Sequence, residues 1–491
     1  LLTLPAADEP RRRVEAKPLP LVVDAEGGLV RGGLLAEAAL AYIRRNPLRA
    51  FAVIGQLMRG KAALGRWLAA RVELDASALP LNEAFLAFAE AERARGRKIH
   101  LAVESDAPLA TKLAESLGFA DGVIAAGGGG EARARLLSER FPDGFAYAGD
   151  DAGDLPVWRA ARESVVVGAA AATLTAVEAI RPPAKVIPRE RLGLRTVLKA
   201  ARVHQWAKNV LVAVPLVLGG KAFDLSAWAT VGIGLLLLGV LASSTYVLND
   251  LWDIEDDRRH WSKKHRAFAS GRLSIATGLI AAPVGIVVAL AGAAMLGVAV
   301  LASFLAYLVV TLAYSFRLKQ AAVVDVFTLA GLFTLRLVIG IALAAVPGSP
   351  WLLVFSMFLF ASLSFAKRHT EMVRVALSGA DKAGGRGYVA ADAPFLIGMG
   401  VATGMSAVLV MVLYLIEEAF RAGFYSTPAA LWAFPCVLFL WLGRVWVLSG
   451  RDELHDDPVA FAVRDKPSLA LGAIMTLAFA VAVAPRFLVF W

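Results

Sequence analysis

The 491-residue chain has one cysteine, Cys436. That excludes an internal disulfide and any metal site built on several thiolates. Lysine is absent between Lys112 and Lys185, although arginine recurs there. Charge is scarce: Asp, Glu, Lys and Arg make up 19% of the residues against 58% hydrophobic, and mean hydropathy is +0.62. A soluble chain of this size carries more charge, so the composition points to an integral membrane protein.

The scarcity is uneven. Up to about residue 187 charges recur every few positions; beyond about 206 come about nine apolar runs long enough to cross roughly 30 Å of hydrocarbon as helices. They fall at roughly 206–220, 227–248, 274–295, 297–316, 322–346, 351–366, 395–416, 428–447 and 469–490. The expected organisation is an α/β domain with its linker over 1–187 and an all-α membrane domain over 188–491. RPPAKVIPRE (181–190) reads as a stiff connector between them. Net charge is +10, and the cations cluster in loops after even-numbered runs: RRHWSKKHR (258–266), FRLK (316–319), KRHTEMVR (367–374) and GRDELHDD (450–457). The positive-inside pattern expects a multi-pass protein of the cytoplasmic membrane, with the N-terminal domain and these loops in the cytoplasm and the C-terminus outside. Cations that line membrane loops do not describe a nucleic-acid surface.

In the first 187 residues short apolar runs alternate with amphipathic helical patterns. PLVVDAE (20–26), KIHLAVE (98–104), DGVIAA (121–126), FAYAGD (145–150) and ESVVVG (163–168) read as strands. Strand–helix alternation predicts a parallel, Rossmann-like sheet covered on both faces. Carboxylates follow two strands: Asp24 and Glu26 after the first, and Asp150, Asp151 and Asp154 after the fourth. Sites in open α/β sheets lie at such strand ends.

These motifs resemble those of the haloacid dehalogenase-like phosphatases, in which DxDGT supplies a nucleophile and an acid/base and a later GDxxxD holds magnesium. DAEGG keeps Asp24, puts Glu26 where the acid/base Asp is expected and Gly28 in place of Thr, while GDDAGD keeps Asp150, Asp151 and Asp154. The family's phosphate-holding Lys has no counterpart; Arg133 or Arg135 lies nearby. The resemblance implies either a magnesium phosphomonoesterase or a degenerate domain that keeps the fold. Glu26 argues for the second, because moving a catalytic group by about 1 Å can cost about 10²-fold.

NDLWDIEDDRRH (249–260) closes the second apolar run with four Asp and one Glu in nine residues. Carboxylates cost about 2.5 to 3.5 kcal/mol each at a bilayer centre, so a partner is needed. Asp250, Asp253 and Asp257 are spaced i, i+3, i+7 and share one face of a helix. Three carboxylates in line suit a hard divalent cation whose remaining sites hold phosphate oxygens, which suggests a magnesium-bound pyrophosphate.

NDxxDxxxD, here Asn249, Asp250, Asp253 and Asp257, is similar to the signature of the UbiA superfamily of intramembrane prenyltransferases. That resemblance implies a nine-helix fold in which the motif binds magnesium and the donor diphosphate. It also implies a second acidic site, for which Asp325 in YSFRLKQAAVVD is the candidate; only one Asp is present where many members have DxxxD. RVHQWAKN (202–209), DRRHWSKKHRAFASG (257–271), GLFTLRLVIGIA (331–342), FAKRHTEM (365–372) and HDDPVAFAVRD (455–465) resemble one branch, the decaprenyl-phosphate phosphoribosyltransferases. Members of that branch transfer 5-phosphoribose from phosphoribosyl pyrophosphate to a polyprenyl phosphate and release pyrophosphate. The resemblance makes Gln205, Lys208, Asn209, Arg258 and Lys264 candidates for binding the two anionic substrates, with Arg266, Arg317, Lys319, Lys367 and Arg368 further along. It leaves a homo-oligomer possible. Arg336 lies within the fifth run, where a charge is a functional hypothesis by default: it either binds the acceptor phosphate or pairs with an Asp. His260, His265, His369 and His455 read as loop residues that contact substrate or face water. Two rival readings remain: prenyl transfer from a prenyl diphosphate to a small or aromatic acceptor, and a non-catalytic lipid-binding scaffold.

Overall fold

The computed structural model describes residues 18–484 except 26–28, 76–78, 104–117, 119, 127, 189–192, 261–262, 378–386, 455–460 and 463. Glu26, Gly28 and His455 therefore lie outside the described residues.

The N-terminal part is built on six parallel strands: β1 (Leu21–Asp24), β2 (Ile99–Val103), β3 (Gly122–Ala125), β4 (Ala146–Gly149), β5 (Glu163–Val167) and β6 (Lys185–Ile187), in the order β3-β2-β1-β4-β5-β6. Among the described residues eight helices accompany them: α1 (Leu34–Arg44), α2 (Arg49–Leu57), α3 (Lys61–Ala69), α4 (Glu83–Ala94), α5 (Gly129–Arg140), α6 (Leu155–Ala160), α7 (Ala171–Ile180) and α8 (Leu194–Ala200). Successive strand residues point to opposite faces. Leu21 and Val23 accordingly pack with α1, α3 and α4, while Val22 packs with Ala134, Leu137, Val157 and Trp158. The five expected strands form. β6 is an addition: KVI of the expected linker pairs with β5 and makes a sheet edge, with Lys185 and Val186 exposed.

The apolar half continues with α9 (Val214–Leu218), α10 (Leu225–Trp252), the short α11 (Ile254–Arg259), α12 (Ile275–Leu296), α13 (Val298–Phe316), α14 (Val324–Ala344), α15 (Pro350–Leu377), α16 (Ala393–Glu417), α17 (Ala433–Gly450) and α18 (Lys466–Val483). Among the described residues, eight helices are long and apolar enough to cross a membrane. The run expected as the first span is instead a 3₁₀ stretch, Val203–Ala213, followed by five residues of α9, with Pro215 at the change of geometry.

By its contacts the chain divides into two units. The first comprises residues 1–200 with 250–280, the second 201–249 with 281–491. The stretch after Asn249, with the acidic motif and α11, thus groups with the N-terminal sheet. In the second unit α14 is the most enclosed helix, packing against α13, α15 and the 3₁₀ stretch. Gly340 permits that last contact: a Cβ there would stand 2.2 Å from the carbonyl oxygen of Val212.

Candidate active site

In the first unit, the acidic motif does not continue as one helix. α10 ends at Trp252, Asp253 lies outside both helices with no capping hydrogen bond from its side chain, and the helix resumes at Ile254. The expectation that three Asp share one unbroken helical face is corrected here. What brings the motif together is Arg266. Its Nη1 lies 3.1 Å from Asp250 Oδ1 and 2.6 Å from Asp257 Oδ2, and both carboxylates are buried. Asp253 is half-buried, with its carbonyl accepting the Asp257 amide at 2.8 Å. Lys264 is exposed on a single 3₁₀ turn. The donor set is all carboxylate oxygen, which fits magnesium.

Three ion pairs tie this stretch to the sheet domain. Arg258 makes a two-pronged pair with Glu37 of α1, at 2.6 and 3.0 Å, and its Nε donates to the Ala269 carbonyl at 3.1 Å. Both side chains are buried, and a bidentate guanidinium–carboxylate pair fixes orientation as well as charge. Arg44 pairs with Glu255, and Arg259 with Asp75 at 3.1 Å. Gly271, at φ +70°, comes so close to Arg31 that a Cβ would meet the Arg31 Cβ at 2.6 Å. Glu37 was not a sequence candidate: on an amphipathic helix it looks like any solvated acid.

In the second unit Asp325 opens α14 and is fully buried. Arg368 Nε approaches it at 2.9 Å, and the Tyr388 hydroxyl donates to it at 2.6 Å. Arg368 also pairs with Glu371. Val323, just before α14, sits at φ +69°, a conformation costly for a β-branched residue; its amide donates to the Tyr388 oxygen at 2.7 Å. Tyr388 was missed from sequence, being about 60 residues from its partners in an otherwise unremarkable loop. His369 is buried on α15 and bonded to Ser449 at 2.9 Å, which corrects its reading as a loop residue. Arg317 is exposed, and Lys319 and Lys367 are half-buried.

Arg336 is only 4% exposed in the middle of α14. Its donors reach Asn209 Oδ1 at 3.1 Å, the Leu332 carbonyl at 2.6 Å and the Tyr307 hydroxyl at 3.1 Å. The guanidinium lies 5.2 Å from the ring centres of both Tyr307 and Phe333, and Lys208 Nζ lies 5.7 Å from the second ring. Among the described residues Arg336 has no carboxylate partner, so its expected alternative role in pairing with an Asp is not seen. Asn209 Nδ2 is buried and unbonded. Gln205 is half-buried on the same 3₁₀ stretch.

The sheet domain holds a second cluster. β1 and β4 are neighbours on either side of the point where strand order reverses, and Asp24, Asp150 and Asp154 there bring carboxylate oxygens within 4.8 Å of one another. Arg133 Nη1 sits against them, 3.0 Å from Asp154, 3.6 Å from Asp24 and 3.0 Å from the Tyr147 hydroxyl. Burial pushes the Asp154 carboxyl up, against the Tyr147 hydrogen bond and the Arg133 charge. Asp151 is exposed and caps the turn at Gly153; Arg135 is exposed. Arg133→Met is expected to cost about 3–5 kcal/mol, as when a buried ion pair loses one partner. Faster amide exchange in β1 and β4, partly reversed by magnesium, would register it; unchanged exchange would contradict it.

The described helices and the match of residues 210–486 to the UbiA prenyltransferase family assign the chain to that family, as a multi-pass membrane transferase. Protein y4nM of Sinorhizobium fredii is 38% identical over 94% of this chain and 91% of its own length. Nodulation protein NoeC of Azorhizobium caulinodans is 33% identical, over 59% of this chain and 94% of its own length. Decaprenyl-phosphate phosphoribosyltransferase of Mycobacterium tuberculosis is 30% identical, over 62% of this chain and 97% of its own length.

Proposed function

We propose that the protein transfers 5-phosphoribose from phosphoribosyl pyrophosphate to a polyprenyl phosphate. The C1–O bond to pyrophosphate breaks, and a lipid phosphate oxygen forms the new bond at C1. Magnesium, held by Asp250, Asp253 and Asp257, would neutralise the leaving pyrophosphate. Arg266, already between two of these Asp, is placed to take a donor oxygen. A phosphate acceptor needs no strong general base, which agrees with a site of Asp, Arg and Lys.

The observation that supports two anionic substrates best is Arg336: a buried cation in a membrane helix, with no carboxylate partner among the described residues and an unbonded amide beside it. An anion would satisfy both. Arg336→Gln is expected to raise KM for the polyprenyl phosphate at least about tenfold, equivalent to about 1.4 kcal/mol, while leaving KM for the donor near wild type. Equal KM values for the acceptor would overturn this role.

The pairing of Glu37 with Arg258 gives the sheet domain a task in the same reaction. Glu37→Ala is expected to lower turnover about 10²-fold, the cost of displacing a reacting group by about 1 Å, with Glu37→Gln intermediate. Wild-type turnover in both would remove that role. We read the sheet domain itself as a haloacid dehalogenase-like fold that has lost phosphatase turnover, since Arg133 sits on carboxylates a phosphatase would turn toward magnesium. Phosphate release from the phosphoribosyl lipid would refute it.

A further inference from the structure

Helix α2 packs on α1 and α3 by one side only. Its face of Leu48, Phe51, Ile54 and Met58 falls within about 120° of a helical wheel, yet Phe51 is 75% and Met58 86% exposed. Val53, on the opposite side, is the buried residue of the helix. Contiguous exposed apolar side chains mark an interaction surface.

The charge around the helix narrows what that surface meets. From residue 38 to 72 there are seven Lys or Arg and no Asp or Glu. Arg44 is spent on Glu255. Arg45, Arg49, Arg59, Lys61 and Arg66 make no ion pair among the described residues: Arg45 donates to the Arg71 carbonyl, and Arg49 lies 4.8 Å over the Tyr42 ring. Arg59 borders the apolar face, Arg45 and Lys61 stand at its two ends, and Arg49 lies on the other side of the helix. A short helix with bulky apolar residues on one face and unpaired cations around it suits the headgroup region of an anionic bilayer. The same chain is membrane-embedded, so a bilayer is always at hand.

We propose that α2 is a membrane-surface anchor: Leu48, Phe51, Ile54 and Met58 enter the headgroup layer of an anionic leaflet, and the surrounding Arg and Lys bind its lipids. This does not depend on which substrates the membrane helices use.

The test uses the full chain with Cys436→Ser, so that introduced cysteines alone are labelled. Phe51→Cys, Met58→Cys and, on α4, Glu90→Cys are each labelled with an environment-sensitive fluorophore. One copy per nanodisc is reconstituted in phosphatidylglycerol-containing or pure phosphatidylcholine bilayers that carry spin-labelled lipid. The expected result is blue-shifted emission and several-fold stronger lipid quenching at 51 and 58 than at 90. That quenching should fall on phosphatidylcholine alone, and fall likewise on anionic lipid when Arg45, Arg59 and Lys61 are all changed to Gln. Equal quenching at all three positions would overturn the proposal. So would a blue shift without lipid quenching that appears only with several copies per disc, which would assign the face to a second copy of the chain.

Discussion

Arg368→Ala is expected to be the most destabilising single change in the membrane unit. The substitution takes the guanidinium away from Asp325, which has no exposed surface, and from Glu371. Breaking a buried pair by removing one partner costs about 3–5 kcal/mol, most of it the uncompensated charge that remains. The unfolding midpoint in detergent should fall by several degrees, and the yield of monodisperse protein should fall with it. Adding Asp325→Asn to the same chain should restore part of the loss, because the buried charge that Arg368 balanced is then gone; the two effects couple rather than add. A single variant as stable as wild type, or a double variant less stable than the sum of both, would show that the pair does not hold α14 to α15.

Asp257→Asn is expected to have the largest effect on chemistry. Asp257 is buried and takes the shorter of the two Arg266 contacts, so the amide keeps the volume and loses the charge. Removing a group that stabilises charge developing in a transition state costs about 10²- to 10³-fold in kcat. The magnesium concentration needed for half-maximal rate should rise as well. Arg266 keeps Asp250 as a partner in this variant, so the fold should survive, and the unfolding midpoint provides the control. Unaltered kcat and magnesium dependence would remove Asp257 from the reaction.

How far the residues alone led depends on the range of the interaction concerned. The five strands and the long apolar runs were legible because each is set by local patterning: alternation for Val22 and Val23, unbroken apolarity for α10 and for α12 through α18. β6 was hidden because its KVI lies between prolines, in a stretch whose composition reads as linker. The first apolar run looked like a span by length, yet Pro215 and the close packing of Val212 on Gly340 make it a 3₁₀ segment with a short helix. The NDxxDxxxD spacing identified Asp250 and Asp257, but not the break at Asp253 or the role of Arg266 in joining them, since periodicity assumes a continuous helix. Glu37 with Arg258, more than 200 positions apart, and Tyr388 with Asp325 are tertiary pairings that no window along the chain contains. Arg133 is intermediate: the missing lysine directed attention to that region, and the structure selects Arg133 over Arg135 by burial.

Phosphoribosyl transfer to a lipid phosphate can be measured directly. Detergent-purified protein is incubated with ribose-labelled phosphoribosyl pyrophosphate, a polyprenyl phosphate and magnesium, and label in the organic phase is counted and resolved on thin-layer plates. The expected result is a lipid-soluble labelled product that requires both the polyprenyl phosphate and magnesium and disappears in Asp253→Ala. An organic phase without label, from protein that releases pyrophosphate when given a prenyl diphosphate and an aromatic acceptor, would contradict it and assign the chain to prenyl transfer.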